Sequence, residues 1–479
     1  MLSSSLSDFP GPPQKASFQG MGNRFKIIDR ETPFLFPPSV QEWLPEKHLA
    51  RFVVEIVSRL DLRPLEDAYT KRGSEGYPPA VMVALLFYGY ATGVFSSRKL
   101  EEATYDSVAF RYIAANTHPD HDTIAHFRKR FLEQLKPLFV EILLLAQTMG
   151  FLKLGRVTLD GTKVKANASK HSALSWGHIQ KLEKQLRKEV QELMRMAEQA
   201  DVADQAKGMD IPAELERRED RLKALGEAKA QLVQRAAERE KVEKAEYATK
   251  MKRREAKRKK TGQKPRGPKP PTGGVRDHDQ INLTDEESRI MPVSGGGFEQ
   301  AYNAQAVVDN ETLLIVSNHV SQKANDKKEL KPALEALKAL PESLGRPQEL
   351  LADNGYFSEP NVESCVAENM TPYIAVERER HSLKLQELLA SPDPPGQDAP
   401  EVEKMRCRLK TPTGRSIYGE RKFTPEPVFG IIKSVLGFRQ FSLRGIAAVD
   451  GEWNLVSIAW NLKRIHKLWC HQQEMIGAY

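Results

Sequence analysis

The sequence predicts a mixed α/β protein whose sheet-bearing part follows an all-helical N-terminal domain and is split by a long helical insertion. Three observations predict it. Apolar residues recur at helical spacing through residues 33–150, and the period then changes to strand alternation from Gly155. That alternation breaks off at residue 178 for a stretch dominated by Ala, Glu, Lys, Leu, Arg and Gln, and it resumes only at Glu299. At 479 residues and 54.1 kDa the chain exceeds one ordinary domain. Its longest apolar runs, residues 81–87 and 139–145, fall well short of a bilayer span, so no membrane insertion is expected.

Residues 1–32 read as a disordered Ser/Pro leader. They have no basic n-region and no continuous apolar stretch, which argues against a signal peptide and for a cytoplasmic protein. Cys365, Cys407 and Cys470 are odd in number and far apart, excluding a disulfide framework and any Cys-x-x-Cys zinc or redox motif. Residues 46–60 and 79–90 carry apolar stripes. Asp122 or Thr123 is expected to cap one long helix that ends at Gly150. Arg98, Lys99, Arg128, Lys129 and Arg130 cluster near helix starts, which suits either a DNA-binding helical module or solvated basic faces.

Residues 155–168 read as a strand, an Asp-Gly turn and a second strand. Residues 178–247 then read as two long helices in an antiparallel hairpin, with Ile179, Leu182, Leu186, Leu193 and Met196 at heptad spacing. Leu215, Leu222, Leu225 and Leu232 repeat the pattern after a break at 208–212. The net charge of +8 is local: residues 251–270 hold six Lys and four Arg against one Glu, a +9 that leaves the rest of the chain at −1. This run and residues 272–280 are expected to form a flexible linker, either merely solvated or an interaction tail for phosphate.

The remaining elements are strands at 299–309 and 312–320, a helix at 326–340, a strand at 349–353, a helix at 359–369 and a strand at 373–376. A polar loop at 378–415 and helices at 423–435 and 454–467 complete the order. With the insertion collapsed, this order matches a ribonuclease-H-like core. The predicted fold is therefore a ribonuclease-H-like mixed sheet built from residues 151–177 and 281–479. A helical domain (33–150) precedes it, and a coiled-coil-like hairpin with a basic linker (178–280) interrupts it.

Asp160 ends the first strand and Asp353 the fourth. Each alone is most simply a turn residue, but in such a sheet these strands are neighbours, and their ends flank the crevice where ligands bind. Glu426, in a first helical turn, is placed to supply a third carboxylate, although it could equally be an acid complementing a helix dipole. His118 and His121 read as part of a turn and not as a metal pair. Tyr302, Asn303 and Gln305 could line the same face, but alternation puts Tyr302 and Asn303 on opposite sides, and they stay unassigned. Trp453 and Trp460 read as core.

With these residues in place the chain resembles bacterial insertion-sequence transposases of the DDE class, in the branch with a Y-R-E-K signature. The matching blocks are VTLDGTKVKANASKH with Asp160, NLTDEESRIM, GGFEQAYNAQAVVD, LLADNGYFSE with Asp353, YGERKFTPEPVFGIIKSVLGFRQF with Tyr418, Arg421, Glu426 and Lys433, and GEWNLVSIAWNLKRI. The family pattern has three residues between Arg and Glu, whereas Arg421 and Glu426 have four between them. The resemblance implies that Asp160, Asp353 and Glu426 hold two Mg²⁺ ions (Mn²⁺ substituting) about 3.5–4 Å apart for in-line phosphoryl transfer. It also implies that Tyr418, Arg421 and Lys433 contact DNA, with Lys433 two turns beyond Glu426 on nearly the same helix face. The expected partners are terminal inverted repeats and target DNA, engaged by a homodimer associated with the nucleoid. Lys252, Arg253, Arg254, Lys257, Arg258, Lys259 and Lys260 would bind phosphates without reading sequence, and Arg128, Lys129 and Arg130 would belong to the DNA-binding helical domain. The rivals are a nuclease of the same fold that cuts without joining and a non-catalytic, domesticated DNA-binding protein.

Overall fold

The computed structural model describes residues 39–69, 76–202, 211–262, 267–293, 295–377, 393–396 and 398–477. The leader expected at 1–32 lies outside the described residues. Among the described residues the elements of the N-terminal region are all helices, the longer ones being α1 (Leu49–Val57), α2 (Arg63–Glu66), α3 (Pro79–Thr92), α4 (Ser97–Asp106), α5 (Val108–Ile113), α6 (His121–Arg130) and α7 (Leu132–Thr148). Helix α3 is its centre, because every residue from Met82 to Ala91 is buried. The single helix expected after residue 122 is instead two. The Asp120 carboxylate caps α6 by accepting from the Thr123 N–H at 2.8 Å, and the chain leaves helical geometry at Phe131. Phe131 is 1% exposed and packs its ring on Tyr69 and Phe127, and this burial sets the break. Helix α7 stops before Gly150, whose φ of 80° is the left-handed conformation that ends many helices.

Strand β1 (Arg156–Lys165) runs straight through Asp160-Gly161, so the expected Asp-Gly turn does not form. Both residues sit in the antiparallel ladder, opposite Ala306 and Gln305. A Cβ on Gly161 would overlap the Gln305 amide nitrogen, so the glycine serves close approach between strands and not a reversal.

The insertion begins with β2 (Ala173–Ser175), which pairs with β3 (Gln280–Asn282) at its base. Between them, α8 (Trp176–Val202) packs on α9 (Ile211–Thr261) through Ile179, Leu186, Leu225, Ala228 and Leu232. Helix α9 has 51 residues and runs through the first half of the basic run, which corrects the flexible linker expected there. Lys and Arg are good helix formers, Lys252, Arg258 and Lys259 are exposed to solvent, and after Gly226 neither Gly nor Pro occurs until Gly262, which ends the helix at φ 67°. The returning segment is also held: Arg239 pairs with Asp279 at 2.6 Å and bonds the Gly274 carbonyl, while Arg276 pairs with Glu243 at 3.0 Å.

Among the described residues the rest comprises β4 (Arg289–Pro292), β5 (Phe298–Asp309), β6 (Ile315–Ser321), α10 (Leu330–Lys338), β7 (Glu349–Ala352), α11 (Glu359–Ala367) and β8 (Thr371–Ile374), followed by the helices α12 (Glu401–Lys410), α13 (Pro412–Gly419), α14 (Pro425–Gly430) and α15 (Ile446–Gly477). The loop expected to reach residue 415 is thus helical from Glu401, and Thr411 caps α13 through the Gly414 N–H at 2.9 Å. The sheet order is β4-β5-β1-β7-β8, and β6 shares with β4 the edge of β5 that faces away from β1. β1 is antiparallel to β5 and parallel to β7, and β7 is parallel to β8.

Helix α15 lies between the sheet and the helical region, packing on β6, α3 and α7. The Trp453 indole donates to the Gln305 carbonyl and the Trp460 indole to the Leu313 carbonyl, at 2.9 and 2.8 Å, so both tryptophans are core residues with their polar edges satisfied. One hydrophobic core therefore spans both regions. Among the described residues, no single helix is long and apolar enough to cross a membrane.

Candidate active site

Parallel pairing of Leu159 with Ala352, the last pair of that ladder, puts the next residues side by side: Asp160 in the middle of β1 and Asp353 just past the end of β7. Asp160 accepts from the Gly161 N–H at 2.8 Å. Asp353 opens the 3₁₀ turn Asn354–Tyr356 and accepts from the Gly355 N–H at 2.8 Å, so it is at once a turn residue and a site residue. Burial pushes the Asp160 carboxyl up to about 7, and the negative charges of Asp353 and Asp326 add to this, against the Gly161 N–H and the Arg421 charge.

Asp326 joins the site without any motif to announce it. Its Oδ1 accepts from Asn303 at 2.6 Å, Gln305 at 2.9 Å and Lys163 at 3.2 Å. Gln305 in turn accepts from the buried Tyr356 hydroxyl at 2.5 Å. Asn303 and Gln305 are alternate residues on buried β5, so they share one face, and this polar i, i+2 pair within an apolar strand was the available signal. Tyr302 points to the opposite face, where it donates to Asp285 at 2.8 Å. Asp326 itself sits in a charged turn with no local mark of its role.

Arg421 faces Asp160 and Asp353, lies over the Tyr418 ring at 5.9 Å and pairs with Glu426 at 3.8 Å. The extra residue between Arg421 and Glu426 therefore does not remove Arg421 from the site. Glu426 is more than half exposed in the first turn of α14 and reaches the aspartates through Arg421. Among the described residues no three His, Cys, Asp or Glu side chains converge closely enough to enclose a metal ion. The arrangement is an aspartate pair with a third carboxylate held off by an arginine.

Other expected contacts are placed differently. Tyr418 is 8% exposed, packed with Leu351, Tyr373 and Ala375, so it supports Arg421 from below and does not present a free surface to DNA. Lys433 lies in the π-type turn Ile431–Val435, which interrupts the 3.6-residue repeat. Its amine donates to the Lys163 carbonyl of β1 at 2.7 Å, and burial, with the Lys163 charge, pushes it down to about 8. Arg128 is 7% exposed and bonds the Tyr90 hydroxyl and the Phe95 carbonyl at 3.0 and 2.8 Å, so it is an interior residue and not a surface contact. Lys129 is exposed, and Arg130, also exposed, bonds the Ala68 carbonyl. Lys252, Arg258 and Lys259 are exposed on α9 and Arg254 is half-buried, while the side chains of Arg253, Lys257 and Lys260 lie outside the described residues. His118 bonds Thr104 and His121 bonds Glu101, each locally.

The chemistry of the donor set suits a divalent cation. Asp160 and Asp353 stand side by side with Arg421 facing them, and carboxylate oxygens are hard donors of the kind a divalent cation takes. Residues 269–462 match the family model described as Transposase DDE domain, and residues 38–130 match the model described as Transposase domain (DUF772). β1 and Asp160 precede the first of these matches in sequence but pair directly with strands inside it. No curated protein and no solved structure matches the chain. The chain thus carries the catalytic domain of a DDE transposase, preceded by an N-terminal transposase domain.

Proposed function

We propose that this protein is an insertion-sequence transposase of the Y-R-E-K branch, which binds the terminal inverted repeats of its element, cleaves there and joins the exposed 3′-hydroxyls to target DNA. The placement of Asp160 beside Asp353 where the parallel β1–β7 ladder stops, facing Arg421, carries the proposal. Asp160 and Asp353 would hold Mg²⁺, or Mn²⁺ in its place, with Glu426 as the third carboxylate. When bound, the metal polarises the scissile phosphate and lowers the pKa of the attacking oxygen. Arg421 counters the charge of the aspartates and is placed to face a phosphate beside them. Lys433, bonded to the Lys163 carbonyl on the same strand as Asp160, keeps its amine beside that edge.

The test is incubation of the full chain with Mg²⁺ and a duplex carrying the element end plus a target duplex. Cleaved ends and joined products are expected on a sequencing gel, whereas cleavage without joined product would favour a nuclease of the same fold.

The active species is expected to be at least a dimer, because two element ends must be cut and joined together. The hairpin leaves Met194, Met196, Val233 and Val242 between 41% and 52% exposed, apolar surface that a second copy can cover. Light scattering on active particles with end DNA checks this, and one chain with one end per particle would defeat it.

The helical basic run is expected to lie on DNA phosphates. Replacing Lys252, Arg253, Arg254, Lys257, Arg258, Lys259 and Lys260 with Gln should flatten the dependence of log K on log salt by about 0.9 per lost contact. Matched and unmatched duplexes should weaken alike, since such contacts read no bases. An unchanged slope would make this part of α9 a solvated helix only.

A further inference from the structure

The block of residues 282–291, NLTDEESRIM, has no part in the active site, yet it is built on buried polar groups. Asn282 accepts from the Thr284 N–H at 2.9 Å and donates to the Ser169 carbonyl at 2.7 Å. The Ser288 hydroxyl donates to the Asp285 carbonyl at 2.6 Å and accepts from Gln300 at 2.7 Å. This framework fixes the Glu286 carbonyl and the start of β4, where Arg289 stands. Arg289 donates to the Glu286 and Ser288 carbonyls at 2.9 and 2.8 Å and to the Gln322 side chain at 3.2 Å. Arg235, reaching across from α9, donates to the same Glu286 carbonyl at 2.5 Å.

Two guanidinium groups therefore meet at one carbonyl, and among the described residues neither has a carboxylate in ion-pair contact. The nearby acids bond elsewhere: Glu286 accepts from Gln231, Glu238 from Gln234, Glu287 from the Ile446 N–H, and Asp285 through Oδ1 from Tyr302 and the Gly445 N–H, its Oδ2 left without a partner. Arg235 Nη1 is buried without a hydrogen-bond partner. Burial pushes the Arg289 guanidinium down to about 10, and the Arg235 charge beside it pushes the same way. Both side chains line a cleft of about 780 Å³ between α9 and the sheet, which extends to Lys323 and Lys328 on either side of Asp326. The other cations of this cleft are already matched, Arg239 to Asp279, Lys323 to Glu329 and Lys328 to Glu246.

We propose that this cleft is a phosphate-binding site with Arg235 and Arg289 as its donors, and that the phosphate belongs to the DNA strand passing Asp326 on its way to the aspartate pair. A phosphate supplies enough charge to balance two guanidinium groups and enough acceptor oxygens for both forks. The assignment to DNA rests on the transposase reading, while the assignment to phosphate does not.

Inorganic phosphate should raise the thermal midpoint of the full chain more than chloride at equal ionic strength, and Arg235→Gln should abolish that difference. Arg235→Gln, together with Arg289→Gln, should also make the salt dependence of duplex binding shallower by about 1.8, for two contacts at about 0.9 each. Arg235→Gln alone leaves the Ser288–Gln300 framework intact, and Arg235→Lys, which keeps the charge, should retain part of the phosphate response. These guard against loss of fold in the double variant. Loss of the phosphate response with an unchanged DNA slope would keep the site and overturn its assignment to DNA. A wild-type chain indifferent to phosphate, or an Arg235→Gln variant with a full response, would overturn the site itself. Wild-type end cleavage, assayed in parallel, shows separately whether the transposase reading stands.

Discussion

Asp160→Asn and Asp353→Asn are each expected to abolish Mg²⁺-dependent end cleavage while leaving end binding intact, because each removes metal-binding charge and little shape. A loss of about 4 kcal/mol of transition-state stabilisation corresponds to roughly a thousandfold in rate. Glu426→Gln should behave alike, and any of the three that cleaves at the wild-type rate is not a ligand. Asp160→Asn has a second expected effect, on stability. The folded-state value of about 7 stands above the unfolded value, so the native protein binds the extra proton between about pH 4 and pH 7. The stabilisation from that proton is complete below the unfolded pKa and is lost as pH rises through about 7. In metal-free buffer at about pH 8, Asp160→Asn should therefore melt higher than wild type, and the gap should close toward about pH 4. Added Mg²⁺ should raise the wild-type melting temperature and not that of the variant. Scanning fluorimetry at both pH values, with and without Mg²⁺, reads all four outcomes.

Glu452→Ala is expected to destabilise the whole chain by about 3–5 kcal/mol, the range for removing one partner from a buried charged network. Glu452 is fully buried on α15 and accepts from the Tyr90 hydroxyl at 3.0 Å and from the Ser442 and Leu443 N–H groups at 2.9 and 3.0 Å. Tyr90 in turn accepts from Arg128 at 3.0 Å, so Glu452 is the counter-charge that lets Arg128 sit inside the protein. Removing it leaves that guanidinium buried with neutral partners only. Because one core spans the helical region and the sheet, urea unfolding should remain a single transition at a lower midpoint. A variant with the wild-type midpoint would show that the network contributes nothing, and loss of the helical region alone would show that the two regions unfold separately.

Element order and the aspartate pair are legible in the amino acids before any packing is known. Strand alternation and helical stripes are local consequences of which side of an element is buried, and they locate β1, β5, β6, β7, α10 and α11 without reference to any partner. Once β1 and β7 are assigned to neighbouring positions, Asp160 and Asp353 follow, since each comes directly after one member of the pair Leu159–Ala352. The basic charge of residues 251–260 is equally legible, but its helical form is obscured by the Pro- and Gly-containing segment just beyond it. The remainder depends on packing. Asp-Gly at 160–161 has the composition of a turn, and only the approach of Gln305 on β5, from beyond the whole helical insertion, makes it part of a strand. Arg128 has the composition of a surface cation, and only Tyr90 and Glu452, the latter near the far end of the chain, make an interior place for it. Asp326 joins the site through Asn303, Gln305 and Lys163, none of which is its neighbour in sequence. Periodicity records burial, which each element expresses along its own length. Charge compensation and hydrogen-bond partners are properties of pairs, and they exist only after distant segments have packed.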